Sequence, residues 1–163
     1  MTKGDKVHKT SRKAKQEKKA AMTPQLRIAR PVSDLAKASD RYRRGLGLSI
    51  LGGFEDHDGF DGVILGIPGA SYHFELTRCR AHPVAPAPTA EDLAVLYLPA
   101  PDEWKAACAR MLAAGFRRVA SFNPYWETRG RTYEDADGYR IVLEHAEWSA
   151  TSSGAAPASA PAS

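Results

Sequence analysis

The chain repeats itself, and the repeat limits what it can fold into. RYRRGLGLSI (41–50) and RMLAAGFRRV (110–119) fill the same slot in two successive segments: a helix end, a glycine, then the next strand. Around each slot the periodicity reads strand, helix, strand, strand, strand, because apolar residues recur every second position in a half-buried strand and every third or fourth in an amphipathic helix. Two tandem βαβββ modules, about residues 25–78 and 92–146, are therefore expected within one α+β domain.

In the first module TPQLRIAR (23–30) alternates, with Leu26, Ile28 and Arg30 on one face and Arg27 and Ala29 on the other. Pro31 lacks the N–H a ladder needs and should stop the strand. Ser33 stands where an N-cap is expected, Asp34 falls in the first turn, and Leu35, Ala38, Tyr42 and Leu46 keep helical spacing up to the C-cap candidates Gly45 and Gly47. Leu48–Phe54 reads as the second strand, EDHDGFDG (55–62) as an exposed connection, and Val63–Ile67 as the third strand. After the Pro68-Gly69 turn comes SYHFELTR (71–78). Its alternation sends Tyr72, Phe74 and Leu76 to a core and sets His73, Glu75 and Thr77 on the opposite face. Two strand residues apart, the imidazole and the carboxylate stand roughly 6 to 7 Å from each other, within reach of a shared ligand or ion.

CRAHPVAPAPTA (79–90) has the prolines and lack of periodicity of a linker. The second module then runs through a strand at Leu93–Leu98, a helix opened by Pro99, Pro101, Asp102 and Glu103 with an apolar face of Trp104, Cys108, Met111 and Leu112, and strands at Arg118–Phe122 and Arg131–Glu134. NPYWETRG (123–130) separates those two strands, and DADG (135–138) turns the chain into a last strand, Tyr139–His145, whose Ile141 and Leu143 belong in the core with Phe74 and Leu76.

Charge is unevenly placed. Of 23 Lys/Arg and 19 Asp/Glu, eight basic and two acidic residues lie before Met22, leaving a slightly acidic remainder of 15 against 17. Such a remainder carries no footprint for specific nucleic-acid binding. Residues 1–22 read as a disordered basic tail and 149–163 as a disordered Ala/Ser/Pro tail, flanking a domain at 23–148. Met22, just before the first expected strand, reads as an alternative translation start. No run of some 18 apolar residues marks a membrane span and the N-terminal stretch has no apolar segment of signal type, so a cytoplasmic protein is expected. Cys79 and Cys108 form neither a disulfide framework nor a metal knuckle and read as free thiols.

VSDL (32–35) opening the first helix, RYRRGLGL at its end and YEDADGYRIVLEH (133–145), each at the right place in its module, resemble the vicinal oxygen chelate superfamily of glyoxalases, extradiol dioxygenases, fosfomycin-modifying enzymes and bleomycin-resistance proteins. The resemblance spans Leu26 to about Trp148. It implies mixed sheets rolled into an open cleft with the helices outside, and a homodimer in which two chains build each cleft. Metal-using glyoxalases take one ligand from the first and last strand of each module. Those positions fall on Arg27, Glu75, Leu93 (Asp92 if the register slips by one) and Val142, so the resemblance implies that only Glu75 is kept and that the family's metal site is absent. Arg27 facing Glu75 would supply a cation's charge without its Lewis acidity.

Two readings of function follow. The first is a metal-independent small-molecule binding protein, with no cofactor and with Arg27, His73, Glu75, Thr77, Tyr97, Asn123, Tyr125, Trp126 and Arg129 as ligand-facing residues. The alternative is a lyase or dioxygenase-like enzyme with a divalent metal ion on His73 and Glu75, completed by a loop residue such as His57 or His82. A structural role without ligand is a third. Arg140 and Glu144 read as ordinary rim residues, and His145 points away from the cleft.

Overall fold

A computed structural model describes residues 24–150; the calls on the basic tail, on Met22 as a start and on nearly all of the Ala/Ser/Pro tail lie outside them. The first module comprises β1 (Leu26–Pro31), α1 (Leu35–Leu46), β2 (Ser49–His57), β3 (Phe60–Gly66) and β4 (Tyr72–Cys79). The second comprises β5 (Leu93–Tyr97), α2 (Pro101–Ala113), β6 (Arg117–Val119), the short α3 (Tyr125–Thr128), β7 (Gly130–Glu134) and β8 (Arg140–Glu144). Each module is a four-stranded mixed sheet, ordered β1-β4-β3-β2 and β5-β8-β7-β6. The first and last strands of each run parallel and the remaining pairs antiparallel. This is the tandem βαβββ organisation expected from the repeat.

Several local expectations change. Asp34, not Ser33, is the N-cap of α1: its backbone is extended and its Oδ1 accepts the Lys37 N–H at 3.0 Å. Gly47 closes α1 at φ 68°, where a side chain would be strained, whereas Gly45 is inside the helix and lets the Phe116 ring approach where a Cβ would stand. Pro31 remains in β1, paired with Thr77, because it ends an edge strand. The stretch 55–62 is no open connection. β2 and β3 continue through it as a hairpin closed by Asp58 and Gly59, both at positive φ (51° and 80°), as a two-residue turn requires. Leu112 is 54% exposed, and Ala107 instead joins Cys108 and Met111 on the buried face of α2. Phe122 lies beyond β6 and is 73% exposed. Cys79 and Cys108 are free thiols.

One core serves both modules. Phe74, Leu76, Ile141 and Leu143 are each at most 1% exposed and join Tyr42, Leu65, Met111 and Phe116 in a single cluster. α1 packs on α2, so the helix faces of the two sheets meet the same core. Within that core lies a charge relay. Arg30 Nη1 donates to the Tyr42 hydroxyl at 2.7 Å, and that hydroxyl donates to Asp135 Oδ2 at 2.8 Å. Arg30 comes from β1 and Asp135 from the turn before β8, so the phenol joins the modules. Burial pushes the Asp135 carboxyl up, opposed by the Tyr42 hydroxyl and the Tyr139 and Asp137 backbone N–H groups. Tyr139 adds a second tie, its hydroxyl donating to the Pro31 carbonyl at 3.0 Å.

Tyr42→Phe keeps the ring and leaves Arg30 Nη1 and Asp135 Oδ2 without their partner, while Asp135 Oδ1 keeps the Asp137 and Tyr139 N–H groups. It should cost about 1–3 kcal/mol, read as a lower urea midpoint with an unchanged slope. A midpoint equal to wild type would show that the relay does not hold the modules together.

Candidate functional site

Sheet parity builds the first half of the site. Arg27 pairs across the ladder with His73, and Ala29 with Glu75, so the three polar side chains share the face of the sheet opposite α1. Arg27 Nε donates to His73 Nε2 at 2.8 Å, and Arg27 Nη1 donates to Glu75 Oε2 at 2.6 Å. The His73 proton therefore sits on Nδ1. Glu75 is mostly covered while half of the Arg27 side chain stays exposed. An ion pair so open adds on the order of 1 kcal/mol or less to stability. What it does is hold a guanidinium, with donors to spare, in one position on an otherwise apolar wall.

That wall comes from residues to which the sequence reading gave no face. Gly62 pairs with Thr77 and Gly66 with His73, so both glycines open onto the Arg27 face. The Phe54 ring lies where a Gly62 side chain would be, and Leu51 lies over Gly66. Ile64, paired with Glu75, stands between them. The signal was present as glycines within a strand, which mark the close approach of a neighbour. Thr77 lies further along the same face, its hydroxyl 3.5 Å from the Arg30 carbonyl.

The second half forms on the other sheet. Tyr97, Val142 and Glu144 share its face away from α2, and Glu144 sits opposite Gly130. Glu144 is not a rim residue: it is 5% exposed, and its Oε2 is buried without a hydrogen-bond partner. Gly130 explains this, since a Cβ there would overlap Glu144 Oε2 and the Trp126 carbonyl. Burial pushes the Glu144 carboxyl up, while the charges of Arg129 and His145 pull it down. Burial likewise raises the Tyr97 hydroxyl, with smaller contributions from Tyr125 and Glu144. Tyr125 is 62% exposed and meets Trp126 edge to face, with centroids 4.9 Å apart. Asn123 Oδ1 accepts the Tyr125 N–H at 3.0 Å, just before α3. Arg140 stays at the rim, tied to Glu134 at 2.9 Å and to the Ala90 carbonyl. His145 stacks on Trp104 of α2, on the far side. Among the described residues no hydrogen bond joins the Arg27 group to the Tyr97–Glu144 group.

The family's metal-ligand positions do not fit an ion. Arg27 puts a positive charge at the first, and His73 Nε2 and Glu75 Oε2 already accept its N–H groups. The register puts Leu93, not Asp92, on the sheet face of Val142, and both are apolar. Asp92 precedes the strand and accepts the Thr89 N–H. Among the described residues no three His, Cys, Asp or Glu side chains converge, and neither His57 nor His82 comes to Glu75.

The loop behind the second half is fastened by Glu127, which the sequence reading did not single out. It accepts from Arg118 Nη2 at 2.8 Å and from the Ser121 N–H and hydroxyl at 2.7 and 2.8 Å. The Arg118 guanidinium and these bonds lower its carboxyl to about 2. A depressed folded-state value gives stability that is present above the ordinary value of 4.5 and lost as pH falls toward about 2. Glu127→Gln should therefore lower the urea midpoint at pH 6, and the gap to wild type should shrink between pH 4.5 and 2. A gap independent of pH would show that this charge does not anchor the loop.

Comparison with known proteins shows the family and the fold. The chain matches the family models YycE-like N-terminal domain at residues 26–77 and YycE-like C-terminal domain at 91–145. It is 42% identical over 119 residues to the uncharacterized protein YycE of Bacillus subtilis, covering 73% of this chain and 86% of the relative. The crystal structure of a Bacillus subtilis YycE protein of unknown function, provisionally assigned to glyoxalase/fosfomycin resistance proteins, superposes with a TM-score of 0.71 at 40% identity, over 76% of this chain and 90% of that one. TnmS3, an antibiotic binding protein from Streptomyces sp. CB03234, follows with a TM-score of 0.54 at 25% identity, over 76% and 96%. Leishmania major glyoxalase I shares the fold, with a TM-score of 0.58 at 19% identity, over 76% and 86%. The chain belongs to the YycE-like family, within the vicinal oxygen chelate superfamily.

Proposed function

We propose that this protein is a metal-independent small-molecule binding protein of glyoxalase/bleomycin-resistance type, cytoplasmic and homodimeric. Its ligand lies between the Arg27–His73–Glu75 face of one protomer and the Tyr97–Tyr125–Trp126 face of its partner. One observation carries the reading: Arg27, fixed by His73 and Glu75, puts a positive charge where the resemblance gives a metal-using relative a ligand. An oriented guanidinium beside Phe54, Leu51 and Ile64 suits a partly aromatic molecule with an anionic group. The dimer is supported by the lack of a hydrogen bond between the two half-sites among the described residues and by apolar side chains left open on both: Leu51 over Gly66 on the first and Tyr125 against Trp126 on the second. Similarity to an antibiotic binding protein supports binding over turnover. Among the described residues no helix is long and apolar enough to cross a membrane.

Sedimentation should give a dimer, and protein purified without chelator should carry no stoichiometric metal. Titration with the aromatic anion 1-anilinonaphthalene-8-sulfonate should show saturable binding that Arg27→Ala weakens about tenfold, roughly 1.4 kcal/mol. Stoichiometric metal in wild type that is lost in His73→Ala and Glu75→Ala would overturn the reading in favour of a metal enzyme. Equal binding by wild type and Arg27→Ala would remove Arg27 from the site.

A further inference from the structure

A second cleft lies on the other side of β1. Its volume is about 650 Å³, and its walls are β1, the proline-rich segment around Val84–Pro88 and the start of β5. Arg30 forms its floor. This side chain is 7% exposed, with its guanidinium 5.3 Å from the Phe74 ring centre and 4.7 Å from that of Tyr139. A charge so far from water normally has a direct counterion. Among the described residues no carboxylate lies within 4 Å of Arg30, and its negative partner, Asp135, is reached only through the Tyr42 hydroxyl. One of its nitrogens, Nη1, is used on Tyr42, while Nε and Nη2 make no hydrogen bond to protein and are not sealed from solvent. Two carboxylates, Glu91 and Asp92, line the same cleft, and Asp92 is occupied by the Thr89 N–H.

We infer that this cleft is a second binding site, separate from the Arg27 face, and that it takes a small monocarboxylate with an apolar or aromatic body. The guanidinium offers two free N–H donors in the planar arrangement that matches a carboxylate. Val84, Ala85 and Pro88 give the body an apolar wall. Glu91 and Asp92 repel any anion in the cleft, a doubly charged phosphate about twice as strongly as a single carboxylate, so the lower charge is favoured beside Arg30. The segment that the sequence marks only as a linker thus becomes one side of a binding site.

Benzoate titrated into the full-length protein, followed by amide nitrogen–proton correlation spectra, tests this. Saturable shifts are expected at Val84, Ala85 and Tyr139, and inorganic phosphate at equal concentration should leave them in place. Ala87→Trp fills the cleft from an exposed linker position and should weaken benzoate at least tenfold. Arg30→Gln should do the same, and if it does not fold, Ala87→Trp decides alone. Arg27→Ala should leave these shifts unchanged, which separates this site from the one proposed above. No saturable shift, shifts surviving in a folded Arg30→Gln or in Ala87→Trp, or phosphate matching benzoate would overturn the proposal.

Discussion

The hydroxyl of Tyr42 is the point on which the two modules agree. A guanidinium from one half and a carboxylate from the other are both buried, and neither touches the other; the phenol accepts from one and donates to the other. Apolar contact alone would permit many packings of α1 on α2. A donor–acceptor chain of this kind is satisfied in one packing, because each member pays a desolvation cost if it loses its neighbour. The positions of β1 and of the β7–β8 turn follow from it, and with them the placement of Arg27, three residues before Arg30.

Arg27 and Arg30 belong to one strand and face opposite ways. Alternation sends the first to the open sheet face, where His73 and Glu75 hold it, and the second into the core, beside Phe74 and Tyr139. The same residue type thus meets two environments. On the open face water shares the charge and the pair matters for direction more than for energy. In the core the charge dominates its surroundings, which is why its remaining donors attract notice.

Much of this was legible in the sequence, for a physical reason. Strand parity is local, so Phe74, Leu76, Ile141 and Leu143 could be assigned to the core from spacing alone, whereas the common face of Arg27 and Glu75 was only what the family resemblance implied. What could not be read depended on partners distant in sequence. The stretch 55–62 looked like a loop by composition, yet Asp58-Gly59 supplies the turn and the flanking residues pair as strand. Glu144 has cleft-facing parity and read as a rim residue, and its burial is decided by Gly130 on the next strand and by the chain crossing at Trp126. The face residues Leu51 and Phe54 are set by glycines on β3, a relation that appears only once the register is known.

A guanidinium fixed on the open face of a sheet differs in kind from a bound ion. An ion is exchanged, chelated and competed for, and the charge of its site follows supply. The Arg27 charge is covalently part of β1 and is present from the moment the strand pairs with β4. The positive group on this face is therefore part of the chain itself and does not have to be loaded.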